Sequence, residues 1–149
     1  MSLAEKIASD LINAMKGKDK VALEAIRAAK TAFLLAKSEL GPGAVLTGED
    51  ELKIVQKLVK QRRESAAIYK DQNRMDLYEK EVAEADVLGK YLPARLSDEE
   101  LTGIIKSIID RTGAKSPADM GKVMSTAVKE LAGRADGREI SAKVKQMLG

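Results

Sequence analysis

Apolar residues recur along this chain at intervals of three and four. Leu3, Ile7, Leu11 and Met15 form the first such stripe. Leu52, Val55, Val59, Ala66 and Tyr69 form another, followed by Val82, Ala85 and Leu88. Beyond position 97 come three more faces: Leu101, Ile104, Ile105, Ile108 and Ile109; Val123, Met124, Ala127, Val128 and Leu131; and Ile140, Val144, Met147 and Leu148. This spacing buries one side of a helix with 3.6 residues per turn. No segment alternates apolar and polar as a half-buried strand does, so the expected fold class is all-α.

The boundaries of these helices are written in short polar residues and glycines. Ser2 with Glu5, Thr47 with Asp50, Asn73 with Asp76, Ser97 with Glu100 and Asp136 with Glu139 fit the capping-box spacing. Asp19 is a further cap, and Ser116-Pro117-Ala118-Asp119 places a proline at a first helical position. Gly17, Gly41-Pro42-Gly43, Gly113 and Gly133 follow periodic segments, as C-terminal glycines do. Seven helices are predicted, over 3–16, 20–39, 48–71, 74–91, 98–111, 117–131 and 137–148. Gly121, inside the sixth, suggests close approach by another element.

Pro93 disfavours helix at Leu92, and Ser97 opens the next helix. The division expected is a four-helix N-terminal domain over 1–93 and a small three-helix C-terminal domain over 94–149. The first part carries 16 basic and 15 acidic residues and the second 10 and 8, so charge does not distinguish them. A unit of about 55 residues is marginally stable alone.

Composition narrows the chemistry. The chain has no cysteine and no histidine. Disulfides, thiolate nucleophiles and Cys-based metal sites are excluded, and the commonest general base at neutral pH is missing. No serine has a partner for nucleophilic catalysis. No catalytic residue, metal site or cofactor is expected. No apolar run approaches the roughly 20 residues of a membrane span, and no secretory signal pattern is present. The expected location is the cytoplasm.

The net charge of +3 is mild, but it is clustered. Lys53, Lys57, Lys60, Arg62 and Arg63 fall within eleven residues that contain no acid. Lys53, Lys57 and Lys60 share one helical face, where they could contact successive phosphates or simply form a solvated face. Arg27 and Arg62 sit at the margins of apolar stripes, where an arginine pairs with a carboxylate, Glu81 or Glu84 being candidates, or receives an anionic ligand. Arg74 lies at a helix start, unfavourably for the dipole. Lys122 opens the sixth helix, and Arg134 and Arg138 flank a tight turn. Each is a candidate RNA or partner contact, or an exposed tip.

The runs Leu58–Tyr69, Arg74–Leu77 and Glu81–Leu101 resemble the YqeY family, as do Ala118–Met124, Gly133–Gly137 and Ala25–Lys30. Asp71-Gln72-Asn73 and Gly41-Pro42-Gly43 depart from the family pattern. The resemblance implies a helical domain followed by a three-helix domain. It is similar to the tail of the B subunit of glutamine-dependent tRNA amidotransferase, which amidates glutamate or aspartate on misacylated tRNA. In that enzyme the tail contacts tRNA while catalysis lies on other domains. A carbon–nitrogen ligase label would follow from kinship alone. The expectation is a monomeric, non-catalytic tRNA-binding module of bacterial translation. The alternative is a protein-interaction module docking on the translation machinery or on amidotransferase subunits, with an exposed apolar patch expected on the three-helix domain.

Overall fold

The computed structural model describes residues 2–149. Among them are seven α-helices and one 3-10 turn, with no strand: α1 (Leu3–Lys16), α2 (Lys20–Leu40), α3 (Gly48–Asp71), α4 (Met75–Gly89), α5 (Asp98–Thr112), α6 (Met120–Glu130) and α7 (Gly137–Leu148). The 3-10 turn, Pro117–Asp119, precedes α6. The chain is all-helical, as its periodicity predicts. Its contacts group into two compact units, one ending at Leu92 and the other beginning at Pro93.

The first unit packs Ile7 and Ala14 of α1, Ala25, Ile26, Ala29 and Phe33 of α2, Val55 and Val59 of α3, and Ala85 and Leu88 of α4. Small residues on α2 let its neighbours approach closely. α3 and α4 form the most extensive pairing in the unit. At the end of α4 the Tyr91 hydroxyl donates to the Asp10 carboxylate of α1 at 2.5 Å. Burial, then the bond to Asp10, pushes the phenol well above its ordinary pKa.

The second unit closes around Leu101, Ile105 and Ile108 of α5, Val123 and Ala127 of α6, and Ile140, Val144 and Leu148 of α7, with Leu131 at the C-terminal cap of α6. Its perimeter carries ion pairs between Arg111 and Glu130 (2.8 Å), between Lys143 and Asp98 (2.8 Å) and between Arg95 and Glu139. The Leu96 N–H donates to the Arg134 carbonyl, which ties the segment before α5 to the α6–α7 turn.

Local signals succeed and fail for identifiable reasons. Full capping boxes form at Ser2–Glu5 and Thr47–Asp50. Ser97 and Asp136 cap α5 and α7 one way, and Asp19 caps α2. The expected box at Asn73–Asp76 does not form. Asn73 takes a left-handed conformation (φ 58°) and ends α3, with the Arg74 N–H reaching back to the Tyr69 carbonyl. The Asp76 carboxylate is occupied by the Arg74 guanidinium instead. Gly17 is right-handed, and its neighbour Lys18 takes the left-handed position (φ 53°).

Met15 is 48% exposed, contrary to the stripe drawn through it, and Ala14 is buried in its place. A strict four-residue repeat drifts about 40° per step on a helix of 3.6 residues per turn, so its fourth member leaves the core face. Around Gly121 a Cβ would meet nothing within 4 Å, so the close approach expected there is absent. The sixth helix begins at Met120 rather than at Pro117. Asp119 accepts from the Lys115 N–H and holds the preceding 3-10 turn.

A side chain in the left-handed region crowds its own carbonyl, a strain that glycine escapes. Lys18→Gly is therefore expected to stabilise the first unit by about 0.5–1 kcal/mol. A rise in urea midpoint checks it, and a fall would contradict the strained position.

Candidate nucleic-acid interface

α3 spans 24 residues, about 36 Å at 1.5 Å per residue. Its first turn carries Glu49, Asp50 and Glu51, which suits the positive end of the helix dipole. The inward side is Val55, Val59 and Ala66. The cationic residues that follow are thereby turned outward: Lys53, Lys57, Lys60 and Arg63 are all exposed. Lys53 pairs with Glu49 at 2.9 Å. Lys57, Lys60 and Arg63 form no ion pair with any described residue. The row therefore presents three free cations and one exposed, weakly engaged one along two to three turns of helix.

Arg62 does not share that surface. It is half-buried, and its Nε is buried with no hydrogen-bond partner. Its positive charge faces Glu84 of α4, a carboxylate only 7% exposed. Burial raises the Glu84 pKa, Arg62 pulls it back, and Glu81 adds to the rise. Glu84, one of the two acids suggested by sequence, is attracted by the Arg62 charge. The interaction is Coulombic, without a hydrogen bond at Nε.

The sign of this arrangement is testable. A carboxyl whose folded pKa is raised holds its proton more tightly when folded, so its burial disfavours the fold at neutral pH and ceases to do so as pH falls. Glu84→Gln is expected to raise stability at pH 7. The gain should shrink as pH drops through the raised Glu84 pKa and vanish below the ordinary carboxylate range. Urea midpoints of the two proteins across pH check this, and an advantage for Gln that grows toward low pH would contradict it.

The remaining candidates are dispersed. Arg27 on α2 is exposed, not held at an apolar margin, and neither Glu81 nor Glu84 binds it. Arg74 is engaged by Asp76 at 3.3 Å, and its guanidinium holds the Asp76 carboxyl below the usual range. In the second unit Lys122 and Arg138 are exposed, and Arg134 is half-buried beside the Arg111–Glu130 pair. The Arg138 N–H donates to Asp136, while its guanidinium makes no ion pair with a described residue. Nothing in the local sequence announces the Arg111–Glu130 and Lys143–Asp98 pairs, because each joins residues on different helices.

Large exposed apolar side chains lie in the first unit: Leu34, Leu35 and Leu40 on α2, Val45 in the loop after it, and Ile12, Met15, Val21, Ile68 and Met75 elsewhere. None of these large exposed apolar residues belongs to the three-helix part, where an apolar patch is expected from the sequence. No group of three or more acidic residues among the described ones could hold a metal ion. No described helix is long and apolar enough to cross a membrane.

An all-helical chain with two small cores and a cationic row on its longest helix is the class these features define. The model of the YqeY-like proteins matches residues 4–148, and the chain belongs to that family. It is also similar to the protein "Altered inheritance of mitochondria protein 41, mitochondrial" of Pyrenophora tritici-repentis (strain Pt-1C-BFP). The two are 32% identical over 151 residues, covering 97% of this chain and 80% of the relative.

Proposed function

We propose that this chain is a non-catalytic, tRNA-binding accessory module, related to the tail of the B subunit of tRNA-dependent amidotransferase and acting as a monomer in translation. The observation that carries the reading is the exposed row Lys53, Lys57, Lys60 and Arg63, three members of which have no partner. Such a row neutralises phosphates and releases their counterions, without specifying bases. Arg74, Lys122, Arg134 and Arg138 are secondary contacts in this reading, and Arg27 is an exposed cation near the same unit's surface. A carbon–nitrogen ligase activity would belong to the complex of the related enzyme. The two compact units are proposed as separate domains, four helices up to residue 93 and three from 94. Cytoplasmic location and bacterial translation are part of the same proposal; the word "mitochondrial" belongs to the name of the fungal relative.

Titration with unfractionated tRNA at about 50 mM salt tests the reading. Saturable binding supports it, and no binding at that salt contradicts it. One observation favours a second reading, a protein-interaction module: Leu34, Leu35, Leu40 and Val45 are 56% to 79% exposed on one helix end and its following loop. Large apolar side chains left this exposed within one stretch of chain are the kind of surface a protein partner covers. If Leu34→Ser and Leu35→Ser abolish association with an amidotransferase subunit while tRNA binding is absent, the second reading replaces the first.

A further inference from the structure

The second unit has an open cleft of about 430 Å³. Its apolar lining is Leu96, Gly103 and Ile104, and its polar lining includes Glu100, Ser107 and Arg134. Arg111 and Glu130 also border it but are bound to each other at 2.8 Å, so their charges cancel. Arg134 and Glu100 make no ion pair with each other or with any other described residue. The cleft therefore offers one free positive and one free negative group beside an apolar surface.

Gly103 is the second observation. Glycine inside a helix is unfavourable relative to alanine, because the unfolded chain loses more freedom on folding. Close packing does not account for it, since a Cβ at Gly103 would meet nothing within 4 Å. The other glycines within helices, Gly48, Gly89, Gly121 and Gly137, are each the first, second or last residue of their helix, and none lines the cleft. The effect of the missing side chain at Gly103 is to keep the apolar lining of the cleft open.

We infer that this cleft binds a free α-amino acid with an apolar side chain. The carboxylate is received by the Arg134 guanidinium, whose fork of donors matches two carboxylate oxygens, with the Ser107 hydroxyl as a further donor. The ammonium is received by the Glu100 carboxylate, and the side chain lies against Leu96, Gly103 and Ile104. Charge balance selects this class. A bare phosphate or carboxylate would satisfy Arg134 but face an unneutralised Glu100, whereas a zwitterion satisfies both. The inference does not rest on the α3 row that carries tRNA binding; Arg134, a secondary contact in that reading, is the one residue the two share.

The test uses the ¹⁵N-labelled full chain and three probes: L-leucine, L-leucinamide without the carboxylate, and 4-methylpentanoate without the ammonium. Leucine is expected to shift the amide signals of Gly103, Ile104, Ser107 and Arg134 saturably. Each half-ligand should bind about tenfold more weakly or worse, since each lacks one charge-assisted contact. Arg134→Gln and Glu100→Gln should each weaken leucine by a similar factor, and Gly103→Leu should abolish its binding, all with unchanged far-UV circular dichroism. Glu100 is an exposed helix position, so E100Q stays informative if R134Q fails to fold. No saturable shift up to the solubility limit of leucine overturns the inference. So does equal binding of 4-methylpentanoate, or indifference to E100Q, since either would reduce the cleft to an anion site.

Discussion

Replacing Lys53, Lys57 and Lys60 together by alanine is expected to lower tRNA affinity on the order of 100-fold at about 0.1 M salt. The size follows from counterion release. Each phosphate contact contributes roughly 0.7–0.9 to the slope of log affinity against log salt, so three contacts contribute about 2–3. The variant's slope should therefore be shallower by that amount, and the two proteins should converge near 1 M salt. All three side chains are exposed, and only Lys53 has an ion-pair partner, so the fold should be unaffected. Circular dichroism and fluorescence-anisotropy titrations check both halves of the expectation. An unchanged slope would move the interface away from α3. Arg62→Gln should behave differently, because its Nε is buried and its charge serves Glu84. Its main effect is expected on stability.

Leu131→Ala is expected to unfold the second unit and leave the first one folded. Leu131 is fully buried at the centre of the C-terminal core. Its carbonyl accepts N–H groups from Arg134 and Ala135, so the α6–α7 turn is built on it. Truncating a buried leucine costs about 2–5 kcal/mol, as much as a core of fewer than 60 residues is expected to supply. Residue-resolved amide hydrogen exchange checks this: protection should collapse in α5, α6 and α7 and persist in α1 to α4. Loss of protection throughout the chain would show that the two units fold as one. Leu88→Ala, at an equally buried position, is the complementary variant for the first unit.

Most helix limits were legible because each rests on local chemistry. Ser2 and Thr47 cap their own third helical residues, and Gly113 closes α5 in a left-handed turn. The failures occurred where two local rules competed. Asn73 can cap a following helix or close a preceding one, and in the fold it closes α3. The outward cationic row was also legible, because the apolar side of α3 fixes which side faces water. The exposure of Arg27 is not legible locally, since it depends on how α1, α3 and α4 surround α2. The cleft of the second unit left no trace in the sequence. Arg111 and Glu130 are 19 residues apart and Glu100 and Arg134 are 34 apart, so only tertiary packing assembles them.

The most direct test of the account is the salt dependence of tRNA binding by the unaltered protein, measured from about 50 to 200 mM. A row of three or four phosphate contacts predicts a linear decline in log affinity with a slope of about −2 to −4. Absence of binding at the lowest salt, or an affinity indifferent to salt, would contradict it.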